Sequence, residues 1–137
     1  MNVYIDWMNS SAHERWVVGG DLVRHLSAVV LMELEAGART IQARRAVAGL
    51  ARTFTRVGRL IHPSRDVWAR AGTVLRQLRG TGREIRRASL VHDVLIALSA
   101  RDLGATVITR DAADHVTIRR FADHSFLALS DISTFEE

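Results

Sequence analysis

Apolar positions along the chain fall into short continuous runs and longer stretches with helical spacing. The short runs are typical of strands and cover residues 3–5, 105–109 and 126–129, and a further short strand can form over residues 24–27, where Leu26 is apolar. The longer stretches predict helices over residues 28–36, 40–56, 64–80 and 83–103, with a helical turn over 116–121. Because strands alternate with helices, we expect a largely parallel sheet covered on both faces.

Polar and glycine residues mark the ends of these elements. Ser27 and Ser64 are placed to cap helices, and Gly37, Gly80 and Gly104 follow the last periodic positions. The chain has 137 residues, of which 47% are hydrophobic and one is proline. This length and composition predict one globular domain over residues 1–137, with an atypical segment at 7–23.

Composition excludes several classes of site and protein. The chain has no cysteine, so disulfide scaffolds and thiolate zinc sites are excluded. Its six histidines have no paired helical spacing, and no lysine is present to build a phosphate-binding loop of the P-loop type. No apolar run approaches the length of a membrane span, and the start is unlike a signal peptide. We therefore expect a cytoplasmic protein with no membrane partner.

Charge is distributed unevenly, and all 19 basic side chains are arginines. Residues 38–90 contain thirteen arginines against two acids, a net charge of +11, whereas residues 1–37 and 91–137 carry net charges of −3 and −4. A guanidinium group can bind two oxygens of one phosphate at once. The middle region is therefore typical of a surface that binds nucleic acid. The alternative interpretation of this positive charge is that the arginines lie on solvated helix surfaces and bind no ligand.

Three carboxylates follow predicted strands. Asp6 ends the first strand, and Asp111 and Asp114 come shortly after the strand at 105–109. Ligands of alternating α/β sheets bind outside the carboxyl ends of the strands. These three side chains are therefore candidates for a common site, although Asp6 taken alone is better explained as a turn residue that ends a strand.

Two further carboxylates lie within apolar helices. Glu33 and Asp93 are flanked by aliphatic residues, and an unpaired carboxylate on a buried helix face is unfavourable. Asp93 is either a ligand to a cation, a salt-bridge partner of Arg86, Arg87 or Arg101, or a residue at the rim of the buried helix face. Glu33 is weaker evidence, because surface glutamates on short helices are common.

Carboxylates that cluster repel one another and are stabilised by a cation. Oxygen ligands of this kind select Mg²⁺ or Mn²⁺, which also bind substrate phosphates. Such ions promote displacement at phosphorus, so the chemistry indicated is phosphodiester hydrolysis.

Four segments together resemble the acidic motifs of PIN-domain nucleases, with VapC-type toxins as the nearest group. They are Asp6 after the first strand, Ser27 to Gly37, His92 to Ala97 and Val107 to Asp114. The resemblance implies a three-layer α/β PIN-like fold whose central, mostly parallel sheet is flanked by helices. It also implies that Mg²⁺, with Mn²⁺ as a substitute, is bound by catalytic residues Asp6, Glu33, Asp93 and one or both of Asp111 and Asp114.

The activity implied is that of a Mg²⁺-dependent endoribonuclease acting as the toxin of a toxin–antitoxin pair. An RNA substrate, a cognate antitoxin that covers the cleft, and a homodimer follow from the same resemblance. We expect Arg44, Arg45, Arg52 and Arg110 to bind RNA.

The segment after Asp6 departs from the family pattern. Trp7-Met8-Asn9 replaces the usual threonine or serine turn, and only 26 residues separate Asp6 from Glu33. The alternative function is therefore a catalytically impaired PIN-fold module that binds an antitoxin or RNA without cleaving. An arginine-rich nucleic-acid binder without an enzyme site is a third hypothesis.

Overall fold

The computed structural model describes residues 23–85, 87–110 and 112–128. The chain divides into two compact units, residues 1–62 and residues 63–137. The strand predicted at 3–5 and the atypical segment, apart from Val23, lie outside the described residues. A single domain over residues 1–137 stays a prediction.

Over residues 23–62, the first unit pairs two short strands and packs two helices. Its elements are β1 (Leu26–Ser27), α1 (Ala28–Gly37), α2 (Ile41–Arg56) and β2 (Leu60–Ile61). The strands are parallel, with Leu26 opposite Leu60. No periodicity exists in a two-residue strand, and the sequence therefore did not predict β2.

Local hydrogen bonds begin both helices of this unit. Ser27 Oγ accepts from the backbone N–H of Val29 at 3.1 Å, which confirms its predicted role as a cap. Thr40 Oγ1 caps α2 in the same way. Apolar residues at helical spacing form the core of the unit, among them Val30, Leu34, Val47, Leu50 and Phe54.

The second unit contains three helices and a second parallel strand pair. Its elements are α3 (Arg65–Arg79), α4 (Ala88–Leu103), β3 (Thr106–Thr109), α5 (Ala113–Arg119) and β4 (Ser125–Ala128). β3 pairs with β4 in parallel register over all four residues. Parallel pairs joined by helices confirm the predicted α/β class.

Helix α4 is the most apolar helix of the second unit. Leu90, Val94 and Leu98 follow one another at intervals of four and have no exposed surface, so they form the centre of the core. Gly104 has a φ of 67° and ends the helix with the left-handed conformation that glycine adopts most easily.

The start of α4 differs from the sequence prediction. The helix begins at Ala88 rather than at Arg83, and Arg83 and Arg87, which precede it, extend their side chains to a carboxylate of α5. Helix α5 begins at Ala113, three residues before the predicted turn. Within the described ranges, none of the helices has the length and apolar character needed to cross a bilayer.

Candidate functional site

Asp114 is the most tightly held carboxylate of the second unit. Arg83 Nη1 donates to Asp114 Oδ1 at 2.8 Å, and Arg87 Nη2 donates to Asp114 Oδ2 at 2.6 Å. Arg83 also donates from Nη2 to Thr117 Oγ1, one turn further along α5. The Asp114 residue is only 8% exposed. Both of its oxygens therefore accept charge-assisted hydrogen bonds, which are stronger than neutral ones.

This arrangement joins the segment before α4 to the start of α5. The two arginines are separated from Asp114 by 31 and 27 residues of sequence. A negative side chain in the first turn also interacts favourably with the N-terminal end of a helix. Asp114 therefore has a structural environment that is complete without a cation.

Asp93 has a different environment. It lies in the middle of α4, where the apolar spacing places it beside the core, yet its side chain is 26% exposed. Its nearest ion-pair contact is His115 Nε2, at 3.7 Å from Oδ1. Arg87, one of the three arginines predicted as its salt-bridge partners, is bound to Asp114 instead.

A buried chain of imidazoles leads to Asp93. His124 Nδ1 lies 2.9 Å from the carbonyl oxygen of Ala122, and His124 Nε2 lies 3.1 Å from His115 Nδ1. A carbonyl oxygen only accepts, so His124 must carry its hydrogen on Nδ1. Neutral His124 Nε2 is then an acceptor, and His115 donates to it from Nδ1. This order directs His115 Nε2 toward the Asp93 carboxylate.

The imidazole pair lies in an apolar and aromatic environment. Both rings pack against Phe126, with ring centroids 5.6 Å apart in each case. Burial lowers the pKa of His124 below its ordinary value, and the charges of His115 and Arg119 act in the same direction, against the hydrogen bond to Ala122. The neutral form of His124 is therefore favoured in the folded protein, as the tautomer argument requires.

Of the two predicted metal ligands in the first unit, Glu33 lies among the described residues. It lies on α1 and is partly buried, and its Oε1 atom has no exposed surface. The neighbouring Val30 and Leu34 belong to the core. The structure therefore places Glu33 at the edge of the core of the first unit.

The predicted RNA-binding arginines occupy exposed positions. Arg44, Arg45 and Arg52 lie on α2, which contains no acidic residue, and Arg110 follows the end of β3. Within the described ranges, none of the three α2 arginines forms an ion pair. Their charges are thus available to an external anion.

The predicted metal ligands are described only in part. Asp6 and Asp111 lie outside the described residues. Within the described ranges, neither unit brings three carboxylate or imidazole side chains close enough to hold one ion. The predicted ligand set therefore depends on Asp6 and Asp111. By chemistry Asp93 fits a hard cation, whereas both oxygens of Asp114 are engaged by guanidinium groups.

A family model for the PIN domain matches residues 2–122 of the sequence. The chain belongs to the PIN domain family. Among curated proteins, none matches the sequence. PIN domains are typically nucleases, so the fold is of a nuclease type, and the helix-rich structure with short parallel strands agrees with it.

Sequence reasoning missed the contacts around the carboxylates of this PIN domain. It places Arg83 in a helix, names Arg87 as a partner of Asp93 rather than of Asp114, and treats His115 and His124 as scattered histidines. Nine residues separate the two histidines, a spacing that matches neither helical nor strand periodicity. No local signal in the sequence identifies these contacts, because each depends on how α4, α5 and β4 pack.

Proposed function

We propose that this PIN domain is a Mg²⁺-dependent endoribonuclease and the toxin of a toxin–antitoxin pair. The observation that carries the proposal is the family match over residues 2–122. The partly exposed Asp93 carboxylate supports it, because Asp93 is held close to the core yet remains accessible. The uncommon excess of arginine over acid on α2 supports RNA as the substrate.

Asp6, Glu33, Asp93 and Asp111 are the residues we propose to hold the cation. Between the two aspartates left open by the sequence, Asp111 is favoured over Asp114. Asp114 already accepts hydrogen bonds from two arginines, and recruiting it to a cation would break both. In this proposal Asp114 fixes the position of the segment that leads from β3 into α5.

A bound divalent cation would supply Lewis-acid stabilisation of the charge that develops on the scissile phosphate. The protein's own contribution is orientation. His115 Nε2 faces Asp93 Oδ1 at 3.7 Å, and the hydrogen bond from His115 Nδ1 to His124 Nε2 holds the His115 ring in this orientation. The arginines of α2 hold the RNA backbone, and Arg110 contributes a further positive charge at the end of β3.

A groove between α1 and α2 is the surface we propose for the antitoxin. It encloses about 360 Å³ and is lined mainly by apolar side chains: Ala28, Leu31, Met32, Glu35, Val47, Ala48 and Ala51. Met32 is 51% exposed beside it. An amphipathic helix laid into an apolar groove is a common recognition mode. The arginines of α2 favour an acidic partner helix.

Two further proposals rest on the resemblance to VapC-type toxins. The protein forms a homodimer, for which exposed apolar residues such as Val57 and Val116 offer contact area. It acts in the cytoplasm, where its RNA substrate and the antitoxin are present. Light scattering of the purified protein tests the first, and fractionation of cells tests the second.

Cleavage of RNA by the purified chain tests the proposed activity. Structured RNA is incubated with the protein and Mg²⁺, and with the protein and a chelator. The Asp93→Asn form, prepared in parallel, controls for contaminating nucleases. We expect cleavage by the unmodified chain with Mg²⁺ alone. Binding of RNA without cleavage in any of these samples would favour the impaired interaction module instead.

A further inference from the structure

One continuous face of α3 presents an indole ring among arginines. Arg65, Trp68, Gly72, Arg76 and Arg79 follow one another at intervals of three and four, so they share one side of the helix. All five residues are exposed. We call this surface the Trp68 face. It contains no acidic residue, since Asp66 lies on another side of α3.

The exposure of Trp68 is unexpected for its residue type. Helix periodicity predicts it among the apolar positions, but Val67, Ala71, Val74 and Leu78 fill the core and leave Trp68 57% exposed. Tryptophan is highly buried on average, so the Trp68 ring is a large aromatic surface that the core of this unit does not use.

Gly72 keeps the surface beside the indole open. It lies one turn after Trp68, and a Cβ atom added there would meet nothing within 4 Å. Glycine is the poorest helix former after proline, so the interior of α3 carries an unfavourable residue at the position next to the ring. A flat ligand placed on the indole would therefore meet no side chain at Gly72.

The arginines of this face are not neutralised. Within the described parts of the chain, Arg65, Arg76 and Arg79 form no ion pair. Arg70, on the other side of the same helix, does pair, with Asp102 at 3.7 Å. Three unpaired guanidinium groups around one exposed ring create a surface complementary to a polyanion that also carries flat groups.

We propose that the Trp68 face binds single-stranded RNA, with a base stacked on Trp68 and phosphates bound by the surrounding arginines. The inference rests on the proposed RNA substrate and adds a binding surface to it. Stacking on an aromatic ring tolerates every base, and arginines follow the backbone. Bases within a duplex are already stacked on their neighbours, so the indole selects unpaired nucleotides.

A second copy of the chain is the competing occupant, and charge argues against it. In a two-fold symmetric contact the same patch meets itself. Arg65, Arg76 and Arg79 would then face their own copies, and like charges at close range repel. Single-stranded RNA meets the same three charges with phosphates.

The test measures RNA binding in the presence of a chelator, so that no cleavage occurs. A labelled single-stranded RNA of mixed sequence is titrated with the unmodified chain, Trp68→Ala, Trp68→Phe and Leu103→Ala. Leu103 is a matched control, because it is an exposed apolar residue of the same unit. We expect Trp68→Ala to weaken binding about 5-fold or more, Trp68→Phe to recover most of the affinity, and Leu103→Ala to leave it unchanged.

An abasic strand of the same length separates stacking from charge. Trp68→Ala should bind this strand as the unmodified chain does, whereas Arg76→Glu should weaken binding to both strands. Arg70→Glu, whose side chain lies off the face, controls for the charge change and should have a smaller effect. Circular dichroism verifies that each variant is folded.

Three results would overturn the inference. They are failure of the unmodified chain to bind the RNA, equal affinity of Trp68→Ala for it, and conversion of a dimer to a monomer by Trp68→Ala in light scattering. The metal-free design keeps this question apart from the proposed activity. Trp68-dependent binding without cleavage in Mg²⁺ would refute only the nuclease proposal, and cleavage with Trp68-independent binding would refute only this inference.

Discussion

Asp93 and Asp114 are carboxylates of one unit with opposite surroundings. Asp114 is nearly buried, and each of its oxygens accepts from an arginine at 2.8 Å or less. Asp93 has greater exposure, and its nearest ion-pair contact is an imidazole nitrogen at 3.7 Å. A carboxylate with a complete set of donors stabilises the fold, whereas one held beside the core without such a set can still bind a cation.

The largest expected effect is on cleavage by Asp93→Asn. Loss of a group that merely supports a metal ligand costs about 10- to 100-fold in affinity or activity, and loss of a ligand costs at least as much. Stability should be similar or higher, because one charge leaves the carboxylate cluster. Cleavage and thermal melting of the same preparation measure both.

Asp102→Asn is the matched control for this variant. Asp102 lies on the same helix and forms an exposed pair with Arg70 at 3.7 Å, so the same chemical change should leave cleavage intact. A destabilised Asp93→Asn whose loss of activity follows its unfolding would make Asp93 a structural residue, and the contrast with Asp114 would disappear.

Asp114→Asn should have its main effect on stability. The change replaces a carboxylate that accepts from two arginines, and hydrogen bonds to charged groups contribute about 1.5–3 kcal/mol each. Because both arginines are partly exposed and can be solvated, we expect a loss of about 2 kcal/mol. Chemical denaturation measures it.

The folded fraction of Asp114→Asn should retain metal-dependent cleavage if Asp114 is not a ligand. Asp102→Asn again provides the control and should change stability by less than about 0.5 kcal/mol. A stable Asp114→Asn protein without activity would reverse the roles of the two aspartates.

The same contrast applies to the arginines. Arg83 and Arg87 are neutralised by Asp114, whereas Arg44, Arg45 and Arg52 have no ion pair among the described residues. Reversing the three α2 charges should weaken RNA binding. The slope of log affinity against log salt concentration should become shallower by about 2, at about 0.7 per single-strand phosphate.

The Asp93→Asn background prevents cleavage during this titration. Arg70→Glu serves as the control, because Arg70 already has a carboxylate partner. An unchanged salt slope in the triple variant would place the RNA elsewhere and assign this face of α2 to the antitoxin.

The smallest expected effect is on the pH dependence of stability, through His124, which contacts the His115 ring beside Asp93. The lowered pKa of His124 means that the unfolded chain takes up this proton at a higher pH than the folded chain. Stability should therefore fall as the pH decreases below about 6.5, by at most about 1.4 kcal/mol per pH unit.

His124→Asn removes this titration and keeps a donor toward the Ala122 carbonyl. Its stability should depend less on pH in the acidic range, as denaturation at several pH values would reveal. His62→Asn, the same substitution at an exposed position, is measured for comparison. Equal slopes for all three proteins would show that His124 does not titrate differently on folding.

Local interactions explain which parts of the fold the sequence predicts. Ser27 and Ser64 cap helices through bonds to residues two and three positions away, and Gly104 ends α4. These signals span a single turn, so they can be read without knowing the tertiary structure. The periodic apolar positions of α2 and α3 are equally local.

The surroundings of the candidate site are long-range and could not be predicted. Asp93 and Asp114 were identified as acidic residues in the right order, but nothing in their local sequence distinguishes a ligand from a salt-bridged carboxylate. That difference comes from Arg83 and Arg87, which are distant in sequence from Asp114. The exposure of Trp68 is equally hard to predict, since periodicity does not reveal how much apolar surface the core can hold.

Titration calorimetry with Mn²⁺ alone, on the unmodified chain, Asp93→Asn and Asp114→Asn, tests the central claim most directly. The measurement is made below the melting temperature of the least stable form. We predict that the unmodified chain and Asp114→Asn bind Mn²⁺ and gain thermal stability from it, whereas Asp93→Asn does neither. No heat and no change in melting temperature for the unmodified chain, or equal binding by Asp93→Asn, would contradict the account.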